Sequence, residues 1–405
     1  MAIPAMRILV LSNLFPPAVL GGYEVECAGV VERLRRDHEV LVLTSRRERH
    51  GAPPEEEGVV RELPFLPYRR LNRLLTPFQA LSAAKAARRA LRDFRPDLVY
   101  VWNGSQIPQV AIRILERSGA AVAYRVCEHW FGELYDSDAF MRGLSGGPWR
   151  WIMQATNAAP SLRVDPSTVV DAAVSWNSET LRRLTPVPAT VRPVLERTIF
   201  PATERSEVFA ATARRAGPDL TIGFAGRIGP HKGVDIALRA VAELRDRHAL
   251  DVHLDLAGSG DAAYVRELEG LAAELGIEPA VDFLGELTPD ELAGLFSTLR
   301  AIVVPSVWQE PAGLVLIEAA LGRVPVIASS VGGIPEILHD GEHALLCPPG
   351  DSAALADAIA RTLAEPAETE ARVTRAFDRV QAFRAERYYE AMDEFLASAR
   401  EALAR

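Results

Sequence analysis

Residues 303–337 read VVPSVWQEPAGLVLIEAALGRVPVIASSVGGIPEI, and the fold follows from how this stretch divides. Ala301 to Val304 is an uninterrupted apolar run, as expected for a short buried strand. Pro305 to Pro311 breaks the pattern and predicts a loop carrying Trp308 and Glu310. Gly313 to Leu321 reads as a helix and Pro325 to Ser329 as the next strand, with Gly332, Gly333 and Pro335 in a further loop. Strand, loop, helix and strand make one βαβ unit. Its loop holds Glu310, and its helix holds Glu318 eight residues later. Eight residues of helix rise roughly 12 Å, a spacing suited to two parts of one elongated ligand rather than to a carboxylate pair sharing a proton. The helix start, from Ala312 through Gly313 to Leu314, offers unpaired N–H groups that favour an anion. Two ordinary surface glutamates are the plain alternative for such a pair in isolation.

The neighbouring residues shift that balance. Glu-Pro-x-Gly-Leu-x-x-x-Glu is followed by Gly322, Pro325-Val326-Ile327-Ala328, Gly332-Gly333-x-Pro335-Glu336 and Pro348-Pro349-Gly350-Asp351. This series resembles the retaining glycosyltransferases of family 4, and the likeness runs through most of residues 220–363. The resemblance implies an α/β protein of GT-B fold, with two Rossmann-like doubly wound parallel-sheet domains facing a cleft and a C-terminal helix returning to the first. It implies that Glu310 binds hydroxyls of a donor sugar and that Glu318 binds the nucleotide ribose.

Working outward, Leu220 to Ala225 predicts a strand, followed by Gly226-Arg227-Ile228-Gly229-Pro230-His231-Lys232-Gly233 and a helix from Val234. This is a glycine-rich phosphate loop with two cations. An arginine can hold a phosphate through two donors, and a lysine adds a compact charge. The Gly-x-x-x-x-Gly-Lys-Ser/Thr pattern of a Walker loop is absent. Arg227 and Lys232 match the family's Gly-Arg-x-x-x-x-Lys-Gly position for position, which places both on the donor diphosphate. Strands at Val252–Ala257 and Val281–Leu284 end in Gly258-Ser259-Gly260 and Gly285-Glu286. By resemblance those loops, Gly285 included, flank the base through backbone groups. Helices are expected at Asp261–Leu275, at Thr288–Ser297 with Glu291 completing a capping box, at Ala353–Ala364, and over most of 370–405.

The first half alternates in the same way. Strands are expected at Ile8–Leu11, Glu39–Thr44, Asp97–Trp102, Ala121–Val126 and Val169–Trp176, with helices at Tyr23–Arg36 and Ile107–Ser118. Gly21 and Gly22 close the loop after the first strand. A Gly-Gly pair often makes only a turn, but its place matches the family's N-terminal glycine loop, which faces the donor diphosphate and the acceptor. Cys127-Glu128-His129-Trp130 follows another strand end. His129 is displaced by two from the family's functional histidine when Trp130 is aligned, yet it could reach a sugar hydroxyl. Asp136-Ser137-Asp138 has the Asp-x-Asp form that binds a divalent metal in transferases of the other large fold. Here it lies in the half opposite the nucleotide, so an acceptor-side contact fits better and no metal is expected. Arg46 to Gly58 reads as a polar surface loop, and Thr185 to Pro201, with four prolines, as the linker between domains. The expected division is 1–195, 196–380 and a last helix at 381–405.

Pro67 to Arg92 carries seven basic residues (Arg69, Arg70, Arg73, Lys85, Arg88, Arg89, Arg92) and no acid. The sharper reading is peripheral membrane contact through 69–92, or an anionic acceptor. The plainer one, a solvated helix covering the sheet, is favoured because the apolar side is thin.

Bulk properties exclude other classes. With 405 residues there is room for two domains, and 48% hydrophobic with 24% charged residues is the composition of a globular protein. A net charge of −9 speaks against a nucleic-acid binder. Cys27, Cys127 and Cys347 form neither a ligand cluster nor an even disulfide set, so a reducing, cytoplasmic setting is expected, at the membrane's inner face should the basic run bind lipid. The start MAIPAMRILVLSN shows no signal peptide, and no apolar run is long enough to span a membrane.

The expected reaction is transfer of a sugar from a nucleoside diphosphate to an acceptor hydroxyl with retention, needing no further cofactor. The acceptor is a glycan, a lipid-linked sugar or a small glycoside. Two alternatives share the signature. A nucleotide-sugar 2-epimerase would interconvert donors with no acceptor present, and a non-catalytic nucleotide-sugar-binding subunit would transfer only with a partner protein.

Overall fold

The computed structural model describes residues 5–19, 21–46, 56–66, 75–160, 162–203, 206–215 and 220–403. Two compact units are present. Residues 1–199 with 389–405 form the first, and 200–388 the second.

The first unit holds a parallel sheet of β1 (Arg7–Ser12), β2 (Glu39–Ser45), β3 (Val59–Leu63), β4 (Leu98–Asn103), β5 (Ala121–Val126), β6 (Val170–Trp176) and β7 (Val191–Thr198), in the order β3-β2-β1-β4-β5-β6-β7. The central strands are buried on both faces, so they read as continuous apolar runs such as Ile8–Leu11. Helices Gly22–Leu34, Thr76–Phe94 and Val110–Glu116 cover the sheet. The buried side of Thr76–Phe94 is almost all alanine, Ala80, Ala83, Ala84, Ala86, Ala87 and Ala90. Small side chains let a helix lie close to its neighbour, which explains the thin apolar stripe. Residues 67–74, with Arg69, Arg70 and Arg73 of the basic run, lie outside the described residues, as does most of the loop expected at 46–58.

One strand, β3, lies where none was expected, and the linker is more ordered than expected. β3 follows that polar run and carries Arg61 and Glu62, so it lacks the apolar run that marks the inner strands. The division between the units falls within the expected segment 185–201, between Ile199 and Phe200, but the segment is more ordered than its prolines suggested: Val191–Thr198 forms β7, at the edge of the sheet. Pro193 is tolerated there because an edge strand has one unpaired side. The register against β6 slips where Ala172 faces Pro193 and Ala173 faces Leu195.

The second unit holds β8 (Thr221–Ala225), β9 (His253–Ala257), β10 (Val281–Gly285), β11 (Ala301–Val304), β12 (Val326–Ser329) and β13 (Leu345–Cys347), all parallel, in the order β10-β9-β8-β11-β12-β13. Helix Pro289–Thr298 begins with the expected capping box of Thr288 and Glu291. The charged C-terminal stretch is two helices, Pro366–Val380 and Ala385–Leu403, parted by a short turn. Residues at the end of the second belong to the first unit, where Asp393 pairs with Arg33 at 3.1 Å and Met392 lies beside the Tyr100 hydroxyl. In both sheets the order of strands reverses once, between β1 and β4 and between β8 and β11. In open α/β sheets, ligands gather at the carboxyl ends of strands flanking such a reversal.

Candidate active site

In the second unit the two strands at the reversal, β8 and β11, lead into the glycine-rich loop 226–233 and the Glu310 loop 305–313. The loops touch through backbone. Gly233, at φ 67°, lies against Pro305, where an added Cβ would stand 2.0 Å from the Pro305 carbonyl oxygen. The Val307 N–H donates to the His231 carbonyl at 3.0 Å. Behind Glu310, Gly332 at φ 61° allows the same closeness: a Cβ there would stand 2.2 Å from the Glu310 carbonyl oxygen, which accepts the Gly333 N–H at 2.7 Å. Only glycine permits both the left-handed backbone and the approach.

These constraints aim the Glu310 carboxylate at Lys232. The Lys232 ammonium donates to both carboxylate oxygens, at 2.9 and 2.8 Å. The Trp308 indole N–H donates to Oε2 at 2.8 Å and the Ser306 hydroxyl at 3.1 Å. The indole ring also meets the His231 imidazole edge-on at 5.2 Å. Glu310 is thus nearly buried yet surrounded by donors, which keeps a carboxylate acceptable there. Burial, then Lys232, hold the His231 imidazole below its ordinary range, with Glu310 opposing and Arg227 adding to the lowering. Arg227 itself is exposed.

Glu318 sits on helix Leu314–Leu321, buried, and its Oε1 accepts the Thr203 hydroxyl at 3.0 Å. Glu310 to Gly313 is loop, so only the part from Leu314 to Glu318 rises along a helix axis, and the 12 Å estimate from eight helical residues does not apply. No side chain caps the helix at Gly313, so its first N–H groups are left to a ligand or to water. Gly285 ends β10, and its carbonyl accepts the Gly258 N–H at 2.7 Å, joining the loops after β9 and β10.

In the first unit Gly21 precedes helix Gly22–Leu34, and its N–H is taken by the Glu24 carboxylate at 2.9 Å. Arg61 of β3 donates to the Phe15 carbonyl at 3.0 Å and to that of Pro16, holding the loop after β1 from the side. Nothing in the sequence around Arg61 pointed to that part. The Asn13 amide reaches the Ser105 hydroxyl at 3.1 Å, joining the loops after β1 and β4 at the reversal. His129 lies in a short 3-10 turn after β5, its Nδ1 2.7 Å from the Thr185 hydroxyl. Asp138 is buried, caps helix Ala139–Ser145 by accepting the Met141 N–H at 2.8 Å, and accepts the Gln109 N–H at 3.0 Å. Burial pushes its carboxyl up against these bonds. Asp138 therefore serves as a helix cap, which accounts for half of the Asp-x-Asp motif. Two other groups, His339 with Glu342 and His343, and His253 with Asp255 and Asp282, bring metal-capable atoms within 4.8 Å of one another, away from the phosphate loop in sequence.

Residues 207–378 match the family model described as glycosyl transferases group 1, and residues 21–189 that of the glycosyl transferase 4-like domain. The chain belongs to the group 1 glycosyltransferases.

Among curated relatives of this group 1 glycosyltransferase is the D-inositol 3-phosphate glycosyltransferase of Corynebacterium efficiens, 37% identical over 178 residues, 42% of this chain and 40% of that protein. Its counterpart in Streptomyces bingchenggensis is 41% identical over 167 residues, 39% of this chain and 36% of that protein. The match thus spans about two fifths of the length of these relatives. Two solved structures extend the likeness over nearly the whole chain. Sucrose-phosphate synthase from Thermosynechococcus elongatus aligns with a TM-score of 0.73 at 23% identity, covering 98% of this chain and 99% of that one. Anabaena HepE, solved with UDP-glucose, aligns at 0.67 and 20% identity, covering 97% and 100%. At such identities they speak for the fold alone, and the fold is GT-B.

Proposed function

We propose that this group 1 glycosyltransferase moves a sugar from a nucleoside diphosphate to an acceptor hydroxyl with retention of anomeric configuration, without a metal ion. The observation that carries this is the three-donor setting of Glu310, in which the glycine-rich loop's Lys232 meets the carboxylate expected to hold the sugar.

Lys232 and Glu310 satisfy each other. An entering pyrophosphate would draw the ammonium from the carboxylate to its own oxygens and leave Glu310 to accept hydroxyls of the sugar. Charge builds on the leaving diphosphate as the glycosidic bond breaks. Arg227, Lys232 and the helix start at Ala312, Gly313 and Leu314, which no side chain caps, would take up that charge. Glu318 would hold the ribose, exchanging its bond from Thr203, and Gly285 would border the base. The departing phosphate oxygen takes the acceptor proton on the same face of the sugar, which gives retention. His129, and Gly21 with Gly22, keep the parts the family resemblance assigns them. The UDP-glucose bound by Anabaena HepE makes UDP-sugars the first donors to try, and the curated relatives make a polyol phosphate the first acceptor.

The test is incubation of purified protein with UDP-sugars and polyol phosphates in excess EDTA, with the product read by proton NMR. A product whose anomeric linkage matches the donor is expected. Inverted linkage, or activity abolished by the chelator and restored by a divalent cation, overturns the mechanism.

A further inference from the structure

Residues 145–151, Ser-Gly-Gly-Pro-Trp-Arg-Trp, turn the chain between helix Ala139–Ser145 and helix Arg150–Asn157 of the first unit, and all seven are exposed. Trp149 retains 48% of its exposure and Trp151 70%. A Cβ added at Gly146 or Gly147 would meet nothing within 4 Å, so the turn projects from the unit. Two neighbouring tryptophans on a projecting turn place a large apolar area in water, which marks an interaction site more often than chance.

Between Asp138 and Asp165 the chain carries charge of one sign. Residues 139–164 contain Arg142, Arg150 and Arg163, all exposed, and no Asp or Glu. Helix Thr76–Phe94 packs against both helices of the turn, and its Arg88 donates to the Leu162 carbonyl at 2.9 Å. That helix exposes Leu75 at its cap position and Phe78 in its first turn, and has no acid before Asp93. Arg89 and Arg92 are paired, with Glu62 and Asp93, while Lys85 and the three arginines of the turn region stand exposed. A chain of net charge −9 thus concentrates cations beside exposed aromatic rings. Indole rings favour the headgroup level of a bilayer, where the ring is apolar and the N–H meets water or ester oxygens. Arginine beside them matches lipid phosphates. A neutral sugar stacked on the rings would use the tryptophans and leave the run of cations without a reason.

We propose that the turn 145–151 is a membrane-interface anchor, seating Trp149 and Trp151 among the headgroups of a bilayer containing anionic lipid. The anchor does not depend on the transfer reaction, so either can fail alone.

The full chain is sedimented with phosphatidylcholine vesicles, with and without phosphatidylglycerol, at low salt. Binding to the phosphatidylglycerol vesicles is expected. The W149S/W151S double variant should bind about tenfold more weakly or worse, since each ring contributes apolar area at the interface. R150Q should bind about fivefold more weakly, the effect of roughly one basic residue near an anionic surface. Because all three side chains are exposed, unchanged circular dichroism and Tm should accompany the loss. The proposal is overturned if wild type stays in the supernatant with anionic vesicles. It is equally overturned if the double variant binds as wild type does. Unchanged vesicle binding with a raised KM for a soluble acceptor would assign the tryptophans to the sugar instead.

Discussion

The polar groups of the two units serve different ends. In the second unit they gather at the strand ends flanking the sheet reversal: Lys232, Ser306 and Trp308 all donate to one nearly buried carboxylate, Glu310. In the first unit the strongest polar groups face inward. Arg113 is fully buried against Glu116 at 2.7 Å, and Tyr124 donates its hydroxyl to the same carboxylate. Arg125, also fully buried, donates to Glu26 at 2.9 Å, to Asn177 at 2.8 Å and to the Ile199 carbonyl at 2.7 Å. Buried pairs hold a fold in register, whereas a pair at a loop can be exchanged for a ligand. A charged residue therefore means different things in the two units, and mutation can separate the meanings.

The largest expected effect belongs to the phosphate loop. Arg227→Ala and Lys232→Ala should each lower turnover by about 10³-fold, the upper range for removing one donor from a developing charge. Tm should change little, since Arg227 is exposed and Glu310 keeps Ser306 and Trp308. Turnover is compared at saturating donor beside a melting curve. Full activity in both variants would erase the distinction between the units.

Glu116→Gln should do the reverse. Burial raises the Glu116 carboxyl above its ordinary range while Arg113 works to lower it, so the pair is held against a cost. Removing the negative charge leaves Arg113 uncompensated, at about 3 kcal/mol of stability and a fall in Tm of roughly 8 °C. Donor affinity should be unchanged. Denaturant unfolding and a donor titration of the variant check both halves.

The smallest effect is on pH dependence. The folded protein takes up a proton at His231 less readily than the unfolded chain. Stability from this group is complete above the ordinary imidazole range and declines as pH falls through it. Wild type should therefore lose more Tm between about pH 7 and pH 5 than His231→Gln. Equal slopes would place the acid sensitivity elsewhere.

Much of this was legible beforehand because the second unit writes its site into backbone. Gly233 and Gly332 cannot be other residues without colliding with Pro305 and Glu310. The phosphate loop and the Glu310 loop could therefore be read as motifs. In the first unit the loops after β1 and β4 are joined by Asn13 and Ser105 and braced by Arg61 from a distant strand. Such contacts leave no local pattern.

The order of residues by itself determined the alternation of strand and helix, the parallel sheets and the identity of the loop residues, because buried strands and glycine-bound turns obey short-range sterics and periodicity. Tertiary packing decided that Lys232 and Glu310 meet, that Asp138 caps a helix, that 191–198 is an edge strand and that Trp149 and Trp151 stay in water. Each of those depends on which groups, often far apart along the chain, arrive at or stay away from the same place, and periodicity carries no record of that.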